Sequence, residues 1–284
     1  MALASFTVPS TYRTTLNVMA VSSEPSGAIG PGSKRGGQFL RLLTGVQNAS
    51  ALVFSVFLTV HLASPLAAAV GGIKLAGKTM LIGRDLYLPL EPILIYAPLA
   101  LHLSASITKR AYLTLRTRRL PALTIHLITG YLLIPFLLPH IVSHRLVPQT
   151  PSPPISSLSP SEFGLEFVAY SLYTRPITSF FAYLGLVGLA VPHAVLGSMK
   201  IVSWIRRLRA GTEPVGVQET PRRTAAGIPK GRRRSAGWLL FGLLDVVLVG
   251  LVRLYWEGAH VSGFMARRYE EVFAKTARLG FGLR

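Results

Sequence analysis

The sequence predicts an all-α fold, a polytopic membrane helix bundle with about five transmembrane helices. Of the 284 residues, 50% are apolar and only 14% are charged, whereas about a quarter of the residues in a soluble domain are charged. The mean hydropathy is +0.45. Long uncharged stretches alternate with short basic clusters, which is the pattern of a chain that crosses a bilayer several times.

Five segments are long and apolar enough to cross about 30 Å of hydrocarbon at about 1.5 Å per residue. They run over residues 47–70, 86–107, 123–143, 178–200 and 237–255. The fifth segment carries Asp245 in its middle. Because a carboxylate is costly inside a bilayer, we expect Asp245 to be protonated and hydrogen-bonded within the bundle. The alternative is that it serves transport along a polar path.

Basic residues are distributed unevenly between the two faces that five spans define. The tail 1–46 and the loops 108–122 and 206–236 share one face and hold 4, 5 and 9 Lys and Arg residues, against 5 in the two opposite loops. The positive-inside rule therefore predicts a cytosolic N-terminus and a C-terminus across the membrane. The basic clusters also suit membrane lipid headgroups. No basic groove interleaved with aromatic residues is present, so we expect no nucleic-acid partner.

The chain divides into five predicted parts. A flexible basic tail (1–46) precedes a duplicated four-helix core (47–205, with copies at 47–115 and 123–205), and a basic loop (206–236), a fifth helix (237–256) and an amphipathic tail (257–284) follow. In the last part, apolar residues alternate with charges at helical spacing, which predicts a short helix on the membrane surface. No cysteine is present, so disulfides and thiolate metal sites are excluded.

The duplication is predicted from two alignments within the chain. The segment "SALVFSVFLTVHLAS" (50–64) aligns without gaps on "TGYLLIPFLLPHIVS" (129–143), which places His61 on His140. In the same way "YAPLALHLSAS" can be laid beside "VGLAVPHAVLGS", which places His102 on His193. The first two spans and the next two are therefore predicted to be copies of one helical hairpin.

These four histidines are the candidate cofactor ligands. Counted from the basic face, His61 and His140 lie deeper than His102 and His193. Two imidazoles at similar depth on facing helices are what a six-coordinate b-type haem needs, one on each side of its iron. Gly197, one turn after His193, would let a flat macrocycle approach the backbone. The alternative is that each histidine is neutral and bonded to a carbonyl, so the predicted cofactor is haem b or none.

Two short motifs resemble the membrane anchors of succinate dehydrogenase and fumarate reductase. "His126-Leu-Ile-Thr-Gly130" is similar to the His-Arg-x-Thr-Gly motif that opens an anchor helix, and "His193-Ala-Val-Leu-Gly197" is similar to the haem-ligand motif. The resemblance implies a haem-binding, electron-transfer or quinone-reactive anchor. Leu127 stands where that family has arginine, which counts against its quinone chemistry.

The doubled hairpin, basic loops, fifth helix and tail, over residues 45–255, more closely resemble the fungal mitochondrial outer-membrane adaptor family. That resemblance implies a non-enzymatic role in lipid homeostasis and organelle contact, at the mitochondrial outer membrane. It also implies recruitment of a bridge-like vacuolar-sorting lipid-transfer protein through a Pro-x-Pro motif in the tail. The tail here lacks that motif, and Pro151-Ser-Pro153 lies in a loop of the opposite face. The inner mitochondrial membrane and a carrier function are the other possibilities.

Overall fold

The computed structural model describes residues 31–157, 162–211, 230–258, 261 and 263–281, and all regular structure in these ranges is helical. The α-helices are α1 (Pro31–Tyr87), α2 (Ala97–Thr117), α3 (Ile125–Ile141), α4 (Leu165–Thr174), α5 (Pro176–Arg209), α6 (Lys230–Glu257) and α7 (Gly263–Arg278). Short 3₁₀ and π segments cover Leu88–Leu90, Pro92–Tyr96, Val142–Leu146 and Val147–Gln149. The predicted all-α class is confirmed.

Helix α1 reverses direction at Gly72, where φ is 59° and ψ is −155°. The Ser64 hydroxyl donates a hydrogen bond of 2.8 Å to the Ala76 carbonyl, although twelve residues of straight helix would separate them by about 18 Å. A glycine adopts this positive φ without a Cβ clash. Residues 31–71 and 73–87 therefore form two antiparallel arms, and α2 extends the second arm along the first.

This reversal corrects two predicted boundaries. Residues 71–85 were expected to form a loop, but they form the tip and the second arm of α1. Lys74 and Lys78 face outward on that arm, while Ala76 is fully buried between the arms. The predicted second span at 86–107 begins with 3₁₀ and π turns around Pro92 and becomes α-helical only at Ala97. Residues 31–46, expected to be a flexible tail, belong to α1.

Helices α3 and α5 form the second hairpin. A Cβ on Gly185 of α5 would overlap the Phe136 ring of α3, so the absence of a side chain lets the two helices approach closely. His126 at the start of α3 lies beside His193 of α5. The bundle thus contains two antiparallel hairpins, which face each other through their histidines.

Three helical stretches are long and apolar enough to cross a membrane within the ranges given above: Arg35–Leu90, Ile125–Gln149 and Pro176–Arg209. They contain three of the five predicted spans. The other two, at 86–107 and 237–255, are helical but do not meet this criterion. The five-span topology and its orientation remain predictions.

Helix α6 packs along both arms of α1. A Cβ on Gly250 would lie 2.7 Å from the Pro65 carbonyl oxygen, so glycine is needed for this close approach. At the tip of the hairpin, Arg253 donates 2.7 Å to the Val70 carbonyl, and the Ile73 amide donates 2.7 Å to the Glu257 carboxylate. A cation therefore meets the carbonyl end of one arm and an anion meets the amide end of the next, as the helix dipoles require.

A compact cap covers the far end of the bundle, opposite the basic face. It consists of the π and 3₁₀ turns after α3, the chain before α4, α4 itself and α7, around a core of Val142, Val147, Ile155, Phe163, Phe167, Tyr269 and Val272. Residues 257–284, which include α7, were expected to form a short helix on the membrane surface, whereas the segment 144–177 contributes Phe163 and Phe167 to this core. Instead, the apolar face of α7 packs on protein, because the aromatic rings of the segment supply a surface to bury it.

Two parts of the predicted scheme lie outside the described residues. They are residues 1–30 of the basic tail and residues 212–229 of the basic loop.

Candidate functional site

His102 and His193 face each other across the two hairpins. Their ring centroids lie 6.2 Å apart, and the ring planes are nearly perpendicular. The Nδ1 atom of His102 lies 3.0 Å from the Gln47 carbonyl oxygen, and that of His193 lies 2.9 Å from the His126 carbonyl oxygen. Because a carbonyl only accepts, each Nδ1 carries the proton and each Nε2 keeps its lone pair.

His126 joins this pair, and the three residues are called the near histidine layer. The His126 ring stacks on the His193 ring at a centroid distance of 4.2 Å. Its Nδ1 lies 3.2 Å from the His193 carbonyl oxygen, so each of the two rings donates to the backbone of the other residue. This reciprocal bonding fixes the tautomer and the orientation of both rings.

Two glycines make room for these rings. A Cβ on Gly130 would lie 2.7 Å from Cε1 of His193, and a Cβ on Gly197 would lie 3.2 Å from Cε1 of His126. Each His-x3-Gly motif therefore accommodates the histidine of the other motif. Gly197 was expected to admit a macrocycle, but in the structure it admits the His126 imidazole.

His61 and His140 form the second predicted pair, with ring centroids 5.9 Å apart. His144 stacks on His140 at 4.4 Å, and these three residues are called the deep histidine layer. His126 and His140 both lie on α3, fourteen residues apart, which places the two layers about 21 Å from each other along the bundle.

Side chains, not backbone carbonyls, hold the deep layer. The two ring nitrogens of His144 lie 2.7 Å from the Ser143 hydroxyl and 3.0 Å from the Tyr183 hydroxyl. Tyr183 in turn lies 3.1 Å from the Ser171 hydroxyl. The Nδ1 atom of His140 is buried without a hydrogen-bond partner among the described residues. His140 therefore lacks the second bond that orients a ligand ring.

The ring separations of the two pairs, 6.2 Å for His102 and His193 and 5.9 Å for His61 and His140, can be compared with that of two imidazoles bound to one metal ion. A metal–imidazole bond is about 2 Å long, so two rings on opposite sides of one ion have centroids about 6 Å apart. No group of three or more possible ligands that could hold a bare metal ion is found in the part of the chain that the structure describes. Two imidazoles suit haem instead, because the porphyrin supplies the other four bonds.

Asp245 is not where it was expected. Its side chain is exposed on the outer face of α6, and no hydrogen bond from it to another described residue is present. The expected hydrogen bond within the bundle is therefore not made, because the face of α6 that contacts α1 carries Val247, Gly250 and Leu254 instead. The protonated state and the transport role remain predictions.

The sequence-based prediction missed two members of the layers. His126 was treated only as the first residue of a motif, although its spacing to Gly130 equals that of His193 to Gly197. His144 was placed outside the spans, although it follows His140 by four residues and so shares its helix face. Both signals were present in the spacing.

Comparison with known proteins gives one match. No curated protein and no solved structure matches the chain. Residues 135–253 match the family model described as MDM10-complementing protein 1, transmembrane domain. The matched region contains His140, His193, Gly197 and Asp245, while His61 and His102 precede it. Over most of the second hairpin and most of α6, the chain is thus similar to the transmembrane domain of a mitochondrial adaptor family.

Proposed function

We propose that this membrane protein is a non-enzymatic adaptor for lipid homeostasis in the mitochondrial outer membrane. The observation that carries the proposal is the match of residues 135–253 to the MDM10-complementing protein 1 transmembrane domain. The helices and the cap occupy most of the described chain, so residues 1–30 and residues 212–229, which share the predicted cytosolic face, are the natural docking segments. The partner we propose is a bridge-like lipid-transfer protein.

Deleting residues 1–30 tests the adaptor role, because α1 begins at Pro31 and the bundle stays whole. The truncated chain should lose recruitment of the lipid-transfer protein and keep its helical content and thermal unfolding temperature. The control is Pro151→Ala with Pro153→Ala, which removes the far-face Pro-x-Pro sequence only. Loss of recruitment only in the variant with Pro151→Ala and Pro153→Ala would mean that the partner binds the far face instead. Normal recruitment in both chains would refute this partner.

Orientation is tested separately on intact mitochondria. An external protease should remove an N-terminal tag and spare a C-terminal one, as the charge difference between the loops predicts. Protection of both tags would place the protein in the inner membrane. Removal of both would contradict an odd number of spans.

A second candidate function is binding of one b-type haem by His102 and His193. It is favoured by the 6.2 Å ring separation and by the two carbonyl-bonded Nδ1 atoms, which leave both Nε2 atoms for iron. When bound, haem supplies a one-electron redox centre. The residues of this chain orient the two rings, and Gly130 keeps the space that the His193 ring needs.

An absorption spectrum of protein purified from haem-replete cells tests this candidate. The reduced protein should show the sharp α band of a bis-imidazole b haem. His102→Ala or His193→Ala should abolish it, while His61→Ala and His140→Ala, the matched controls from the deep layer, should leave it. A colourless parent protein would reject haem. Reduction of the bound haem by a quinol would favour an electron-transfer anchor over an adaptor.

A further inference from the structure

The described residues at the basic end of the bundle include no carboxylate. At this end, the described residues are 35–50, 106–124 and 198–211. These ranges contain many Lys and Arg residues and no Asp or Glu. The acids of the described ranges lie elsewhere, at Asp85, Glu91, Glu162, Glu166, Asp245, Glu257, Glu270 and Glu271. A cluster of cations without acids beside it attracts anions such as lipid headgroups.

Two of these cations occupy equivalent positions. Lys109 follows His102 by seven residues on α2, and Lys200 follows His193 by seven residues on α5. Seven residues are about two helical turns, so each lysine lies on the same face as its histidine, about 10.5 Å further toward the basic end. Since the two rings face each other, the spacing places the two lysines on the facing sides of α2 and α5. They are called the lysine pair.

The predicted fourth span would place the lysine pair at the level of the lipid phosphates. The Lys109 ammonium donates a hydrogen bond of 2.7 Å to the Thr44 hydroxyl of α1, which fixes its position. Neither lysine forms an ion pair with a described residue. Lys200 lies twenty-two residues, or about 33 Å, beyond the start of the predicted fourth span at Thr178, just outside about 30 Å of hydrocarbon.

We propose that Lys109 and Lys200 bind the phosphate of an anionic phospholipid between α2 and α5. Two ammonium groups that repel each other are stabilised by one shared phosphate, whose oxygens accept a hydrogen bond from each. A headgroup that carries its own cation would bring no net negative charge, so the site should select phosphatidylglycerol over phosphatidylcholine. This site depends on neither the adaptor role nor haem.

Quenching of Trp204 by brominated lipids tests the proposal, because Trp204 lies one turn beyond Lys200 on α5. The full chain with Trp238→Phe and Trp256→Phe keeps Trp204 as its only tryptophan. It is reconstituted without haem in phosphatidylcholine bilayers with either brominated phosphatidylglycerol or brominated phosphatidylcholine. The relative association constant should favour the anionic lipid by about fivefold or more, since each lysine near the surface contributes about a factor of five.

Three variants distinguish a specific phosphate site from general electrostatic attraction between the basic protein and anionic lipid. Lys109→Gln with Lys200→Gln should reduce the preference to near unity, and Lys109→Arg with Lys200→Arg should keep it, which excludes misfolding as the cause. Lys74→Gln with Lys78→Gln removes the same charge from exposed positions on the second arm and should change nothing. A lipid preference that survives in the variant with both lysines changed to glutamine would overturn the proposal. A preference that is abolished when haem is added would also overturn it, because the haem carboxylates would then occupy the site.

Discussion

The two ends of the bundle hold their polar side chains differently. In the near histidine layer, three rings donate to backbone carbonyls, and the lysine pair two turns away has no carboxylate partner among the described residues. At the far end, His144 uses both ring nitrogens on side-chain hydroxyls. The ion pairs of the cap include Arg268 with Glu162, Arg175 with Glu270 and Arg278 with Glu271.

This difference separates a binding end from a stabilising end. A ring whose Nδ1 donates to a carbonyl keeps an unshared pair on Nε2 for a ligand. A ring whose two nitrogens are both bonded to side chains has no nitrogen available for a ligand, and its hydrogen-bond network contributes to stability instead. Ligand binding should therefore depend on the near layer, and the unfolding temperature chiefly on the far end.

The largest effect on stability should come from Arg268→Ala in the cap. Arg268 is 4% exposed, and its guanidinium donates 2.6 Å to the Ile155 carbonyl and 2.6 Å to the Glu162 carboxylate. Its loss removes a buried ion pair and the donor of the Ile155 carbonyl, at a cost of about 3–5 kcal/mol. Thermal unfolding in detergent measures it. Arg267→Ala, at the exposed neighbouring position, should be neutral, and equal effects would mean that the cap is not packed as described.

Gly130→Ala should break the near layer. The new methyl would lie 2.7 Å from the His193 ring, and overpacking of this kind costs about 1–3 kcal/mol. Gly197→Ala, at 3.2 Å from the His126 ring, should cost less. Gly188→Ala meets nothing within 4 Å and should be neutral or slightly stabilising. Unfolding temperatures that do not follow this order would contradict the reciprocal glycine–histidine contacts.

Tyr183→Phe should weaken the deep layer by about 1–2 kcal/mol, because it removes the partner of His144 and of Ser171 inside the bundle. Haem binding should not change, since the near layer is untouched. Tyr131→Phe, at an exposed tyrosine of α3, is the control for the unfolding measurement. Loss of haem in the Tyr183 variant would show that the two layers are coupled.

The smallest effect should appear as a dependence of stability on acid. The hydrogen bond from the Arg175 guanidinium holds the pKa of Glu270 below its ordinary value of 4.5. A carboxyl with a lowered folded-state pKa stabilises the fold above 4.5, and this contribution is lost as the pH falls through the lowered pKa. The unfolding temperature should therefore fall in that range by a small amount, because the pair is partly exposed.

Glu270→Gln should remove that part of the acid dependence. Glu271→Gln, which alters the neighbouring carboxyl paired with Arg278, should retain it. An acid dependence that is the same in the parent and in Glu270→Gln would mean that the ion pair between α7 and Arg175 does not contribute.

Hydropathy and spacing were sufficient for the fold class and for both histidine pairs. The apolar runs predicted helices, and the internal alignment paired His61 with His140 and His102 with His193, whose rings do meet. These signals are local or repeat with the helix, so one sequence shows them. The duplication itself remains a prediction.

Contacts between segments distant in the chain could not be predicted from the sequence. Nothing local distinguishes Gly72, where the chain reverses, from Gly77, which lies within a continuing helix. The cap needs α7 to meet Phe163 and Phe167 about a hundred residues earlier. The outward position of Asp245 depends on which face of α6 meets α1, and apolar residues on all sides of that helix gave no indication.

The contacts of Arg253 and Glu257 with the tip of the first hairpin, at Gly72, join segments that are synthesised far apart in time. Arg253 lies 183 residues after the Val70 carbonyl that it meets, and Glu257 lies 184 residues after the Ile73 amide. Until α6 has been synthesised, the Val70 carbonyl and the Ile73 amide at the tip of the first hairpin therefore lack these side-chain partners. The contacts of α6, which comes late in the chain, therefore complete the tip of a hairpin that the first helix began.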